Sequence, residues 1–278
     1  MELENRQICA AVIGHPIAHS RSPMIHNGWL AQAGIEGTYT TFDVPPEGLE
    51  SFCNELRQST LKGINVTLPH KEKIMSLCDE VDETAQQIGA VNTILIKDRK
   101  LTATNTDAYG FIQNLKKTQP EFDLSNSTPI VLGAGGAARA VLYGLLNEGV
   151  QNILLTNRTY DNALKLSKDF KNIEVIDWDN RSGALTDCNL VVNTTSLGMK
   201  GQPALDLNLA KLPPQSLVYD LVYNPLETEL LKNAARHECR TVQGLGMLIY
   251  QAEKAFRLWF DTTPDITVNL HQELEKSL

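Results

Sequence analysis

The stretch Ile130–Arg139, Ile-Val-Leu-Gly-Ala-Gly-Gly-Ala-Ala-Arg, constrains the fold more than any other part of the chain. Its apolar start predicts a buried parallel strand, and the residues after the glycines follow a helical pattern. Glycines at such a junction let the backbone turn tightly and approach a ligand, while the new helix offers N–H groups to a phosphate. Gly133, Gly135 and Ala138 match the G-x-G-x-x-G/A pattern of dinucleotide-binding folds.

The residues after this motif strengthen the interpretation. Gly149 is placed to end the helix, and residues 152–156 predict the next strand. Glycine pairs also end strands for structural reasons, so the order strand, glycine turn, helix and strand is what favours dinucleotide binding. The motif begins near the middle of the chain. The first 110 residues alternate strand and helix patterns, and they predict an α/β domain of their own.

Composition excludes several classes of protein. The chain has 278 residues and a formal net charge of −8, without a dense run of Lys and Arg, so a nucleic-acid partner is not expected. No apolar stretch reaches the roughly 20 residues of a membrane span. Residues 1–6 lack the apolar core of a signal peptide. The five scattered cysteines form no C-x-x-C pair, which predicts reduced thiols and a cytoplasmic location.

The residues after the second strand indicate the cofactor. NAD enzymes place an Asp or Glu about 20 residues beyond the glycines to hold the ribose 2′-hydroxyl. This chain has Asn157-Arg158-Thr159 there. A carboxylate would repel a 2′-phosphate, whereas the Arg158 guanidinium can pair with it through two N–H bonds. The sequence therefore favours NADP over NAD.

Polar residues in the first domain have both a structural and a functional interpretation. Ser20 and Ser22 precede a helix opened by Pro23, and capping by Ser22 is favoured over binding of a carboxylate. A helix is predicted from about Glu72, and another over residues 80–88. Lys71 would then lie at a helix N-terminus, where a cation is disfavoured. This misfit is evidence for function, against the default of a solvated surface lysine.

Two further groups of residues are assigned a structural role. An Asp at a strand end before a helix, like Asp107, is usually an N-cap. His15, His19 and His26 predict no metal site, because Pro16 keeps the first two off one helical face and no carboxylate or cysteine lies near them in the sequence.

Over nearly its whole length, the chain resembles the shikimate dehydrogenase family. The resemblance rests on an ordered set of motifs, at residues 19–23, 63–71, 89–93, 105–107, 133–137, 157–159, 222–225 and 244–251. It implies an α/β fold with an N-terminal substrate-binding domain (residues 1–110) and a Rossmann-like, doubly wound NADP-binding domain (111–245). A C-terminal helical segment (246–278) would return to the first domain and leave a cleft between the two.

The resemblance also implies roles for individual residues. Lys71 and Asp107 would be the catalytic pair. The residues that would contact the substrate are Ser20, Ser22, Asn65, Thr67, Asn92, Tyr223 and Gln251. Those that would contact the cofactor are Gly133, Ala134, Gly135, Gly136, Ala137, Asn157, Arg158, Thr159, Leu221, Gly244 and Glu83. The implied reaction is the reversible reduction of 3-dehydroshikimate to shikimate with NADPH.

The sequence departs from the family pattern at two positions. Ala108 replaces a glycine that many members carry, which is expected to be harmless. Asn162 replaces a second arginine for the 2′-phosphate, so the preference for NADP is expected to be weaker than usual. The sequence does not decide whether Lys71 or Asp107 takes the proton; the working hypothesis gives it to Lys71, with Asp107 as the orienting partner.

Alternatives remain at this stage. Tyr250 and Lys254 fit the Y-x-x-x-K signature of short-chain dehydrogenases, but that family places its glycine turn near the N-terminus. A quinate dehydrogenase of broader specificity, or a non-catalytic NADP sensor, would use the same scaffold. The small-molecule substrate is the one partner expected, and the chain is either a monomer or a homodimer.

Overall fold

The computed structural model describes residues 8–278, which form two compact units. The first unit runs to Thr106 and resumes from Gln251 to Ser277, and the second holds Asp107–Tyr250 and Leu278. The prediction that concerned a signal peptide falls on residues 1–6, which lie outside the described residues.

The first unit contains a six-stranded mixed sheet in the order β2-β1-β3-β5-β6-β4. Its elements are β1 (Ile8–Gly14), α1 (Ser22–Gln32), β2 (Thr38–Asp43), α2 (Leu49–Leu56), β3 (Gly63–Val66), β4 (Glu80–Val81), α3 (Glu83–Ile88), β5 (Thr93–Lys97) and β6 (Lys100–Thr104). β1 pairs in parallel with β2 and β3, whereas β5 is antiparallel to both of its neighbours. Apolar residues such as Ile13, Ile64 and Ile94 form its core.

The second unit contains a six-stranded, fully parallel sheet in the order β12-β11-β10-β7-β8-β9. Its elements are α4 (Asp107–Thr118), β7 (Pro129–Leu132), α5 (Gly136–Asn147), β8 (Ile153–Thr156), α6 (Tyr160–Ser167), β9 (Ile173–Ile176), β10 (Leu190–Asn193), β11 (Leu217–Asp220), α7 (Glu229–Arg236) and β12 (Arg240–Gln243). Counted from β7, this is the 3-2-1-4-5-6 order of the dinucleotide-binding fold, so the predicted fold class is confirmed.

Two helices complete the chain, α8 (Leu245–Phe260) and α9 (Val268–Ser277). The division between the units falls inside α8, and its second half belongs to the first unit. There the indole N–H of Trp259 donates a hydrogen bond of 3.0 Å to the carbonyl of Ile94 on β5. None of the helices within residues 8–278 is both long and apolar enough to cross a membrane. All five cysteines are free thiols.

The glycine turn forms as predicted. β7 ends at Leu132, Gly133 has a φ of 112°, and α5 begins at Gly136. Such a φ is open to glycine and strained for other residues. Gly149, with a φ of 91°, follows the end of α5, and β8 comes next.

Two helix predictions in the first unit are wrong. Instead of a helix from about Glu72, a short 3₁₀ turn spans Lys73–Leu77, because the backbone becomes extended at Cys78 before it pairs with β6 from Glu80. Residues 80–88 are not helical throughout. Glu80 and Val81 pair with β6, and the helix starts only after Asp82, whose carboxylate accepts a hydrogen bond from the Ala85 N–H.

Candidate active site

A buried network in the first unit surrounds Asn65 on β3. The hydroxyl of Tyr39 donates to Asn65 Oδ1 at 2.7 Å, and Asn65 Nδ2 donates to the Asn92 carbonyl and to Thr93 Oγ1, both at 3.2 Å. Both amide hydrogens of Asn65 are therefore used within the protein, and the oxygen has a donor. These contacts fix the orientation of the amide, so Asn65 can offer a ligand mainly its remaining acceptor capacity.

Asn92 joins this network to α8. Its Nδ2 donates to Thr106 Oγ1 at 2.9 Å and to Gln251 Oε1 at 3.2 Å, while its Oδ1 accepts from the Thr106 N–H at 2.7 Å. Asn92 and Gln251 are 2% and 8% exposed. The structure thus brings three of the predicted substrate residues, Asn65, Asn92 and Gln251, into one connected cluster.

Neither Ser20 nor Ser22 caps α1. The N-cap position is Arg21, which makes no side-chain capping bond, and Ser22 is already inside the helix. The favoured prediction that Ser22 caps the helix is therefore wrong. Ser20 Oγ accepts a hydrogen bond of 3.3 Å from the Ser22 N–H. Burial raises the pKa of Tyr39 well above its ordinary value, and a hydrogen bond with the Ser22 hydroxyl opposes this shift, so Ser22 belongs to the Tyr39 network.

Tyr39 belongs to this network, although the sequence analysis gave it no role. β1 lies between β2 and β3, so the Tyr39 side chain crosses a neighbouring strand to reach Asn65. His26 stacks on its ring at 4.2 Å with 8° between the planes. Burial lowers the pKa of His26 to about 3, so this ring is neutral at physiological pH and adds no charge to the site. No sequence pattern points to this pairing.

Lys71 lies half-buried in a loop that four hydrogen bonds hold in place. The Thr67 N–H donates to Ile13 at 2.9 Å, and the His15 N–H donates to Leu68 at 3.0 Å. The His70 ring bonds the Val44 carbonyl at 2.7 Å, and the Lys71 carbonyl accepts from the Val91 N–H at 2.7 Å. These anchors place the loop, with Thr67 and Lys71, beside β1 and near the start of β5. Since no α-helix begins here, the electrostatic argument for Lys71 from a helix N-terminus no longer applies.

The glycine turn in the second unit has the geometry that a phosphate group requires. No side chain caps α5 at its N-cap residue, Gly135, so the first-turn N–H groups lack the usual capping acceptor. A side-chain carbon at Gly135 would meet nothing within 4 Å. An open space beside uncapped helical N–H groups fits a dinucleotide pyrophosphate. Residues 133–137 are therefore compatible with the predicted role.

Arg158 lines a cavity of about 390 Å³ at the ends of β8 and β9. β8 and β9 run in parallel register, with Thr156 opposite Ile176, so the residues that follow both strands meet at one edge of the sheet. The described lining residues are Asn157, Arg158, Tyr160, Asp177, Trp178, Asp179 and Asn180. The cavity has the single cation that was predicted for a 2′-phosphate, together with two carboxylates that were not.

The two residues predicted to lie by the nicotinamide are in contact. A side-chain carbon at Gly244 would lie 2.2 Å from the carbonyl oxygen of Leu221, so only glycine permits this approach. The loop after β11 is held by the buried carboxylate of Asp220, which accepts from Asn193 Nδ2 at 2.9 Å, Thr228 Oγ1 at 2.6 Å and the Val222 N–H at 3.1 Å. Burial raises the pKa of Asp220, and these three bonds oppose the shift.

The remaining predicted residues are distributed over both units. Asp107 is the first residue of α4 and is 6% exposed, in the second unit, whereas Lys71 belongs to the first. Tyr223 is half-buried in the loop after β11. Glu83 begins α3 in the first unit and accepts from Gln87 Nε2 at 2.9 Å. Within residues 8–278, no three His, Cys, Asp or Glu side chains are grouped to hold a metal ion.

Comparison with known proteins gives consistent matches along the chain. Residues 12–94 match the shikimate dehydrogenase substrate binding domain, residues 114–199 the shikimate/quinate 5-dehydrogenase family, and residues 244–268 the shikimate 5′-dehydrogenase C-terminal domain. The sequence is 47% identical over 272 residues to a shikimate dehydrogenase (NADP(+)) of Rhodopseudomonas palustris strain BisB5, covering 98% of this chain and 95% of the relative.

Two solved structures are similar over nearly their whole length. Shikimate 5-dehydrogenase of Thermus thermophilus, in complex with NADP(H) and shikimate, has a TM-score of 0.87 and 36% identity, with 98% of this chain and 100% of that chain covered. Quinate dehydrogenase of Corynebacterium glutamicum, in complex with NAD, has a TM-score of 0.89 and 30% identity, with 97% and 99% covered.

Proposed function

The chain belongs to the shikimate dehydrogenase family, and on this premise we propose that it catalyses the reversible NADPH-dependent reduction of 3-dehydroshikimate to shikimate. This reaction is a step in aromatic amino-acid biosynthesis, and we place it in the cytoplasm. The observation that carries the proposal is the 47% identity over 98% of the chain to an NADP-dependent shikimate dehydrogenase. The buried Asn65–Asn92–Gln251 cluster and the uncapped glycine turn support it, because they supply the polar cavity and the phosphate cradle that the reaction needs.

The residues of this chain divide the chemistry between them. When bound, the dinucleotide supplies the hydride and takes it back in the reverse direction. In the reduction, the substrate carbonyl becomes an alkoxide, and Lys71 Nζ donates the proton that makes it a hydroxyl; in the oxidation Lys71 accepts that proton. The family resemblance assigns the orienting role to Asp107. No metal is needed for this step, because the ammonium group stabilises the charge that develops on the oxygen.

Substrate binding is assigned to neutral side chains. Ser20, Ser22, Thr67 and Tyr223 carry hydroxyl groups that can donate to a carboxylate, and these donors orient the acid end of the substrate. Asn92 and Gln251 are assigned to the ring hydroxyls, and Asn65 lines the same cavity. A hydroxyl group that binds here replaces one bond of the existing network, which compensates for removing that hydroxyl from water.

We favour shikimate over quinate, and turnover over sensing. Quinate carries an extra hydroxyl on the carbon that bears the carboxylate, so its binding requires more room beside Ser22 and Tyr223. A sensor would not need Lys71 and Asp107. The test is to compare kcat/KM for shikimate and quinate with NADP. A clear preference for shikimate is expected, equal rates would place the chain in the broader quinate/shikimate class, and absence of turnover by folded protein would favour the sensor.

Removing the Tyr39 hydroxyl should weaken substrate binding. Tyr39→Phe leaves the buried Asn65 Oδ1 without its 2.7 Å donor, so the amide is held only by the two bonds of Nδ2. We expect the KM for shikimate to rise about tenfold, equivalent to about 1.4 kcal/mol, with a smaller change in kcat. Steady-state kinetics with saturating NADP would measure this.

Tyr219→Phe is the matched control for this variant. It also removes a buried phenol hydroxyl, which accepts a hydrogen bond of 2.7 Å from Asn114 Nδ2 in the second unit. We expect it to lower the free energy of unfolding without changing the KM for shikimate. If both variants raised this KM equally, Tyr39 would have only a general structural role.

A further inference from the structure

The cavity of Arg158 also contains a carboxylate at the end of the adjacent strand. Asp177 follows β9 directly, just as Asn157 and Arg158 follow β8, and the parallel register brings these strand ends to the same edge. Both charged side chains line the cavity. The carboxylate that NAD enzymes place after their second strand is absent here, but another carboxylate lies after the third strand.

The charges that line this cavity oppose one another. A phosphate monoester carries about −1.5 to −2 charges at neutral pH, so Arg158 attracts the 2′-phosphate and a nearby carboxylate repels it. Asp179 also lines the cavity, but its side chain is fully exposed and lies 3.9 Å from Arg181 Nη1, so its charge is screened and partly balanced. Asp177 is exposed as well, but within residues 8–278 its carboxylate forms no ion pair and no capping bond to the 3₁₀ turn Trp178–Asn180, so its charge is not balanced in the same way. Asp177 is therefore the stronger source of repulsion.

We propose that Asp177 is a specificity-determining residue, which weakens binding of the 2′-phosphate and lets this chain use NAD alongside NADP. The proposal rests on the function proposed above and refines its cofactor site. Arg158 binds the 2′-phosphate of NADP against the repulsion of Asp177. With NAD, the same carboxylate can accept a hydrogen bond from the free 2′-hydroxyl. The two cofactors thus have opposite interactions with one side chain.

Fragment binding tests this proposal without relying on turnover. Adenosine 2′,5′-bisphosphate and 5′-AMP would be titrated calorimetrically into the wild-type protein and Asp177→Asn. We expect the variant to bind the bisphosphate about fivefold more tightly, the effect of one charge several ångströms away in a water-like medium. Binding of 5′-AMP should be unchanged or slightly weaker. The gain should shrink as the salt concentration approaches 1 M, where the Debye length is about 3 Å.

Asp187→Asn is the matched control, because it removes the same charge from the second unit at an exposed residue outside the cavity lining. It should leave both affinities unchanged. An equal gain in Asp187→Asn, or an unchanged preference in Asp177→Asn, would overturn the role of Asp177 and leave the proposed function intact. Conversely, failure to oxidise shikimate would contradict the proposed function while the fragment affinities still decide the role of Asp177.

Discussion

Lys71→Ala should lower kcat for shikimate oxidation about a thousandfold and leave KM nearly unchanged. The physical reason is that the alcohol must lose its proton as the hydride leaves, and without Lys71 only water or a distant group can accept it. Lys71 lies in a loop fixed by hydrogen bonds to Ile13, Val44 and Val91, so no neighbouring lysine can easily take its place. Steady-state kinetics with shikimate and NADP measures both parameters.

Lys73→Ala provides the matched control, since it removes the same charge two residues after Lys71. The Lys73 side chain is exposed and contacts the Pro46 carbonyl. This variant should retain near wild-type kcat.

Lys254→Ala tests the short-chain dehydrogenase alternative. Burial lowers the pKa of Lys254, which makes it the other lysine to examine. Loss of activity in Lys254→Ala with full activity in Lys71→Ala would reverse the catalytic assignment.

Gly63→Ala should destabilise the first unit by about 4 kcal/mol, a sum of overpacking and a disrupted buried hydrogen bond. A side-chain carbon at Gly63 would lie 2.1 Å from Trp259 Nε1 and 2.2 Å from the Ile94 carbonyl oxygen. These two atoms form the hydrogen bond that joins α8 to β5. Relief of the clash requires the indole to move or β3 and β5 to separate. Chemical denaturation followed by circular dichroism would measure the loss.

Gly28→Ala is the corresponding control, at a glycine where an added side-chain carbon would not clash with other atoms. Nothing lies within 4 Å of a side-chain carbon at this exposed position in α1. Alanine is favoured over glycine inside a helix, so we expect a gain of about 0.5–1 kcal/mol. A Gly63→Ala protein as stable as the wild type would show that the approach of Trp259 to β3 does not hold the unit together.

The sequence was most informative where local chemistry determines the backbone. The glycine turn and the strands on both sides of it follow from apolar runs and glycine positions, and the structure confirms them. The doubly wound fold was implied by the family resemblance, and the observed strand order agrees with it. The secondary-structure predictions were wrong where a short segment could form either a helix or a strand. Glu80 and Val81 fit a helical pattern, but they pair with β6, and this pairing depends on residues twenty positions away. Helix α6 was not predicted, and α9 lies within the C-terminal segment that was predicted as helical without separate bounds for this helix.

The candidate site also depends on contacts between residues that are distant in the sequence. The family resemblance pointed to Asn65 and Thr67, yet the hydroxyl that holds Asn65 comes from Tyr39, across an intervening strand. Ser22 has the sequence context of a helix cap, but the helix begins one residue too early for it to serve as one. Asp177 received no role from the sequence, because its proximity to Arg158 depends on the register of β8 and β9.

The most direct test of the proposed function is the initial rate of NADP reduction when shikimate is added to purified protein whose folding has been verified by circular dichroism. We predict rapid, saturable formation of NADPH that depends on shikimate. No NADPH formation by folded protein, at any concentration of shikimate, would contradict the assignment of this chain as an NADP-dependent shikimate dehydrogenase.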